Sequence, residues 1–269
     1  MKTDSINPEN GQEKILVIIG PTASGKTGLA VRVAQKLSER RGMDIEAGET
    51  AAEVISADSR AIYKDMNIGT AKPDMEERGG IPHYGFDLVE PGERFTVYEF
   101  QQYAHECIDK IRAQGKLPII AGGTGLYVDA LIFDYDFSEG SKKNYTNREK
   151  MNQDYVVVGI DWPREVLRQR IEERANKFFT QSIEEETVKL VEKYGWDSGA
   201  MTSNIYPIVW DMLQGKISRE EAIHLFALDD WHLAKRQLTW FKRNKNIHWL
   251  PLAEAEQWIL DFYNDKKVN

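Results

Sequence analysis

Eight consecutive residues, Gly20-Pro21-Thr22-Ala23-Ser24-Gly25-Lys26-Thr27, fit the pattern G-x-x-x-x-G-K-[ST]. The glycines let backbone wrap around phosphate oxygens. The N–H groups and the positive N-terminus of the helix that follows stabilise an anion. Lys26 adds a cation, and Thr27 offers a hydroxyl to Mg2+. A loop of this kind holds a diphosphate or triphosphate. It leaves the reaction open, because kinases, nucleoside triphosphatases and some transferases share it. A chance match in a glycine turn is the competing reading, and the placement between a strand and a helix argues against it.

Asp58 follows a second expected strand, at the sheet edge where ligands bind in open α/β folds. A carboxylate there can hold Mg2+ through water or accept a proton from a nucleophile. It can equally be a turn or helix-capping aspartate. Gly122-Gly123-Thr124-Gly125 brings flexible backbone to the same rim, as a tight turn or as a ligand contact.

These positions require a particular scaffold. Lys14 to Gly20 is an apolar run ending in a glycine turn, the pattern of a parallel strand covered on both faces. Leu29, Val33 and Leu37 give a helix from Lys26 to about Glu39. Arg40 to Glu53 reads as a surface loop and Val54 to Ala57 as a short strand. Thr96-Val97-Tyr98-Glu99 has capping-box form and opens a helix to about Gln114. Leu117 to Ala121 is a strand, Thr124 to Ile132 a helix, Tyr155 to Ile160 a strand, and Asp161-Trp162-Pro163 opens a long helix through about Phe179. The rest is mostly helical, with a second capping box at Ser218-Arg219-Glu220-Glu221, a helix to about Trp240 and a last strand at Ile247 to Leu250. Strands alternating with helices imply βαβ units. The expected fold is therefore α/β: a P-loop NTPase-like parallel sheet flanked by helices, with a helical C-terminal part. A single core is expected over residues 14–252, after a flexible N-terminus at 1–13 and with a polar connection at 134–154.

The 269 residues carry a net charge of −8 and one cysteine, Cys107. One cysteine excludes an internal disulfide framework. No apolar run approaches the roughly 20 residues needed to span a bilayer. Met1 to Glu13 has no signal-peptide character. A cytoplasmic protein that does not enter membranes is expected. The charge is unevenly spread. Trp231 to Trp249 contains Lys235, Arg236, Lys242, Arg243 and Lys245 and no acidic residue, with Trp231, Trp240, Phe241 and Trp249 interleaved. Cations among aromatics suit phosphate contact and base stacking. Trp240 and Trp249 read better as core residues.

Several segments in order resemble tRNA dimethylallyltransferases. They are Ile18 to Thr27, Ile55-Ser56-Ala57-Asp58-Ser59-Arg60-Ala61-Ile62-Tyr63, Ile68-Gly69-Thr70-Ala71-Lys72-Pro73, Ile81-Pro82-His83, Gly122 to Tyr127 and Leu233-Ala234-Lys235-Arg236-Gln237-Leu238-Thr239-Trp240. The resemblance covers most of residues 14–133 and 155–250. It implies transfer of a dimethylallyl group from its diphosphate to N6 of adenine-37, in tRNA anticodon loops reading U-starting codons. By similarity, the loop Gly20 to Thr27 holds the diphosphate of the prenyl donor, and Thr27 binds Mg2+. Asp58 would accept the amine proton and Thr22 would orient the amine. Asp58, Ser59, Arg60, Ala61, Thr124, Lys235 and Arg236 would touch tRNA. Arg170 and Arg174 resemble a helix that sends arginine to the diphosphate. A solvated helix face, with Arg170 paired to Glu172 or Glu173, is the alternative. The implied partners are tRNA and dimethylallyl diphosphate, and a monomer is expected.

The chain also departs from that pattern. The family's helical insertion between Leu131 and Tyr155 is replaced by a short polar stretch, in which Arg148 is a possible remnant of a tRNA contact. Ala61 stands where the family usually has Gln, Asp230-Trp231 replaces Thr-Arg, and Asn204-Ile205-Tyr206 replaces Ile-Gly-Tyr. The donor side is intact and the acceptor side altered. An adenine-nucleotide isopentenyltransferase, a P-loop kinase or NTPase, and a non-catalytic RNA-binding remnant therefore remain open.

Overall fold

The computed structural model describes residues 5–137, 150–180, 182–202 and 205–264. Arg148, Asn204 and most of the expected 134–154 connection lie outside them. The elements in order are β1 (Ile15–Ile19), α1 (Lys26–Arg40), β2 (Ala52–Ser56), α2 (Met75–Arg78), β3 (His83–Tyr84), α3 (Val97–Ala113), β4 (Leu117–Gly122) and α4 (Gly125–Ile132). There follow β5 (Tyr155–Asp161), α5 (Arg164–Thr180), α6 (Ile183–Tyr194), α7 (Ile205–Leu213), α8 (Arg219–Phe241), β6 (His248–Pro251) and α9 (Leu252–Phe262).

The strands form one parallel sheet in the order β3-β2-β4-β1-β5-β6. Alternation along β1 explains why the sheet needs cover on both sides. Leu16 and Ile18 join the core under α1 and α9, whereas Ile15, Val17 and Ile19 join the core under α3 and α4. A third core, built on Phe178, Phe179, Tyr206 and Phe226, binds α5 through α8 into the helical part.

β1 and β2 flank β4, with Ile19 opposite Gly122 and Ser56 opposite Ala121. This register sets three strand ends side by side. The loop Gly20 to Thr27, Asp58 and Gly123-Thr124 therefore share one rim although the sequence separates them widely.

Three boundaries differ from expectation. β2 begins at Ala52, inside the expected loop. Glu53 is buried within it, where its carboxylate accepts from Lys116 Nζ at 2.5 Å and from Tyr84 Oη at 2.8 Å. The core continues past residue 252, because α9 buries Ala255, Ile259 and Leu260 against α1. Ser5 to Glu13, expected to be flexible, makes a turn tied to the core. Lys14 donates its N–H to Ser5 O at 2.9 Å, and buried Asn7 bonds the Asp154 carboxylate.

Candidate active site

Glycine stereochemistry shapes the Gly20 to Thr27 loop at the mouth of α1. Gly25, the residue that caps α1, has φ of 90°, a left-handed backbone that side chains disfavour. Lys26 Nζ donates to Pro21 O at 2.7 Å and reaches Ser24 Oγ at 3.5 Å. Burial pushes its ammonium down to about 8. Arg174 acts in the same direction, while Asp58 and Asp230 oppose it. Thr27 is exposed and lines the cleft.

α5 closes over this loop. Arg170 Nε donates to Ala23 O at 2.8 Å, and its guanidinium lies 4.8 Å from the Trp162 ring centre. Trp162 Nε1 donates to Ser24 O at 3.0 Å. Arg174 donates to the Thr22 hydroxyl and, at 3.1 Å, to Asp230 Oδ2. The pair on the solvated side of α5 is Arg168 with Glu172, at 3.3 Å. Arg170 and Arg174 thus face the loop, and neither is held by Glu172 or Glu173.

On the second strand end, Asp58 Oδ1 accepts the Arg60 N–H at 2.8 Å. This turn fixes the carboxyl at the rim. Thr124 is the residue before α4, but its side chain does not cap that helix. Its Oγ1 accepts the Ser59 N–H at 2.9 Å and donates to Ser59 Oγ at 3.2 Å, so it ties the ends of β2 and β4 together. Gly122 is obligatory here, because a Cβ would strike the Ala57 carbonyl. Ala61 is buried beside the cleft, and Arg60 is exposed at its edge.

α8 supplies the fourth wall. Gln237 Oε1 accepts the Thr22 N–H at 2.7 Å, and its Nε2 donates to Gly123 O at 3.0 Å. Trp240 packs over Gly125 and donates Nε1–H to Asp129 Oδ2 at 3.0 Å. Trp249 packs on Gly159. Both rings therefore serve the core. Lys235, Arg236, Lys242, Arg243 and Lys245 are exposed, and Arg236 lines the cleft. Half-buried Trp231 carries Arg164 and Lys235 at 5.4 and 5.9 Å from its ring centre. Gln237 and Asp230 carry no role that the sequence alone reveals. Their contacts lie far away in sequence, and only their presence in one helical segment with Trp240 hinted at them.

These walls enclose one cleft of about 620 Å3, running from Thr27 past Lys26, Arg174 and Asp58 to Thr124, His83 and Phe86. Burial holds the His83 imidazole below its usual value, and its Nδ1 bonds Ile81 O at 2.7 Å. Among the described residues no group of three or more His, Cys, Asp or Glu could hold a metal. A cation here would take few protein ligands. Mg2+ tolerates that, since it is commonly bound by one or two protein oxygens plus substrate phosphates and water.

A glycine loop at a helix N-terminus with cations on one flank, and a carboxylate and exposed basic helix on the other, is the arrangement of a P-loop-like protein. A family model described as "IPP transferase" matches residues 61–153 and 135–244, and the chain belongs to that family. The two stretches overlap at 135–153, across the short connection. A tRNA dimethylallyltransferase of Acetivibrio thermocellus is 34% identical over 318 residues, covering 95% of both chains, and one of Bacillus mycoides is 31% identical over 305 residues, covering 91% and 92%. Both alignments exceed the 269 residues of this chain, so those relatives carry segments without a counterpart here. Among solved structures, a tRNA isopentenylpyrophosphate transferase of Bacillus halodurans superposes with TM-score 0.78 at 29% identity, covering 94% and 96% of the two chains. One from Staphylococcus epidermidis gives 0.76 at 32%, covering 94% and 98%.

Proposed function

We propose that this chain transfers a dimethylallyl group from dimethylallyl diphosphate to N6 of adenine-37, in tRNA anticodon loops reading U-starting codons. The observation that carries the reading is the shared cleft. The Gly20 to Thr27 loop, read as the diphosphate site, and the Asp58 carboxylate line one space of the size that small-ligand sites have.

In the transfer, the allylic C–O bond breaks and its electron pair leaves with diphosphate. The N6 lone pair forms the new C–N bond, and the N6 proton passes to Asp58. Charge grows on the departing oxygens, which the loop N–H groups, Lys26, Arg170 and Arg174 would stabilise. Thr27 would hold Mg2+, which supplies further charge neutralisation to the diphosphate. Thr22 orients the amine. Ser59, Arg60, Ala61 and Thr124 form the acceptor rim, with Lys235 and Arg236 on the tRNA phosphates.

The missing insertion favours a second acceptor, a free adenine nucleotide. The exposed cations at the end of α8 and in the turn after it favour tRNA, since a mononucleotide cannot reach most of them. Initial rates with AMP and with an unmodified anticodon stem-loop, each with dimethylallyl diphosphate, separate the two. Faster reaction of AMP overturns the tRNA reading. Stabilisation by ATP and not by dimethylallyl diphosphate in thermal unfolding overturns both in favour of a kinase or NTPase. The proposed setting is a cytoplasmic monomer. No described helix is long and apolar enough to cross a membrane.

A further inference from the structure

Transfer of a prenyl group gives no reason to bury an acid beside the leaving diphosphate, yet Asp230 is there. Its side chain is 3% exposed, and it meets Arg174, 23% exposed, at 3.1 Å. The carboxyl lines the same cleft as Lys26 and Thr22. Burial raises its proton affinity, while Arg174, the Thr22 hydroxyl and Lys26 lower it; Asp229 on the same helix also raises it. A buried carboxylate is tolerated only when paired, and Arg174 is its nearest cation.

All three cations of the cradle are therefore engaged with protein acceptors. Lys26 turns to Pro21 O, Arg170 to Ala23 O, and Arg174 is divided between Asp230 and Thr22. Both of these Arg174 contacts use Nη1, so a diphosphate that takes this N–H draws it away from Asp230 and Thr22.

We propose that Asp230 competes with diphosphate for Arg174, weakening diphosphate binding and returning the guanidinium to its resting place as diphosphate departs. This rests on the reading of Gly20 to Thr27 as the diphosphate site. The advantage is kinetic. A site that stabilises growing charge on a leaving diphosphate also holds that product tightly. An internal anion offsets part of that grip. As the guanidinium moves, it also releases the Thr22 hydroxyl, so donor binding frees the group that orients the amine.

Calorimetric titration with inorganic diphosphate and Mg2+ tests this on four proteins: wild type, Asp230→Asn, Arg174→Ala and the double variant. Asp230→Asn is expected to tighten Kd by about tenfold. The same change is expected to have no effect in the Arg174→Ala background. A purely structural role would weaken binding, so the direction of the effect decides. Unchanged or weaker binding by Asp230→Asn overturns the proposal, and so does equal tightening in both backgrounds, which indicates simple repulsion. Asp230→Thr, which keeps an acceptor for Arg174, serves if Asp230→Asn does not fold. A wild type that binds no diphosphate overturns the donor-site reading itself.

Discussion

Gln237 bridges Thr22 and Gly123, accepting from the N–H of one at 2.7 Å and donating to the carbonyl of the other at 3.0 Å. One amide thus locks the phosphate loop after β1 to the turn after β4, and locks both to α8. Gln237→Ala leaves two backbone groups unpaired in a half-buried place. The expected costs are about 1–3 kcal/mol of stability and a raised KM for the donor. Urea unfolding and steady-state kinetics check this, and unchanged values in both would show that the bridge is idle.

Asp58 is held by its own turn and makes no ion pair among the described residues, which leaves it open to an incoming amine. Asp58→Asn keeps the shape and the Arg60 contact but cannot take a proton. The expected outcome is a fall in kcat of about a hundredfold or more, with donor binding little changed. Single-turnover rates together with donor titration measure both. An equal loss in donor affinity and rate would place Asp58 at the donor instead.

Lys26, pushed down to about 8 by burial, gives donor binding a pH dependence of definite sign. The protonated form binds the anion. Below pH 8 the free protein already carries that proton, so affinity owes nothing further to it. Above pH 8 the proton must be taken up on binding, so affinity is expected to fall by up to about tenfold per pH unit. Lys26→Arg, charged throughout the range, should lose this limb while keeping the ligand's own titration. Matched titrations from pH 6.5 to 9.5, or about that span, make the comparison.

Much of the donor side is legible in the chain itself. The apolar run of β1 and the glycines after it can hardly form anything but a strand and an anion loop. Asp58 and Thr124 follow because strand ends in a parallel sheet share a rim. Other features are hidden for physical reasons. Glu53 makes the first half of β2 look like a loop, since its burial depends on Lys116, 63 residues away. β3 is only two residues long, too short to show alternation. Arg170 and Arg174 are four apart and must share a helix face, but spacing cannot say whether that face meets solvent or the phosphate loop. The Gln237 bridge spans 215 residues, and Asp230 reaches Arg174 across 56. Only packing of α5 against α8 brings those groups to the cleft.

The exposed cations of α8 should act on the acceptor alone. Lys235→Ala and Arg236→Ala are each expected to weaken anticodon stem-loop binding and to reduce its salt slope by about 1. The KM for dimethylallyl diphosphate should stay the same. Fluorescence titrations at several salt concentrations read the slope, and an unchanged slope would assign these residues to the solvated surface.

The chemistry of transfer is tested most directly by mass spectrometry of tRNA nucleosides. Unmodified tRNA is incubated with the folded protein, dimethylallyl diphosphate and Mg2+, and then digested. The expected product is N6-dimethylallyladenosine, found once per tRNA at the base after the anticodon and formed far more slowly with Asp58→Asn. Adenosine left unmodified by folded, donor-binding protein would contradict prenyl transfer to tRNA.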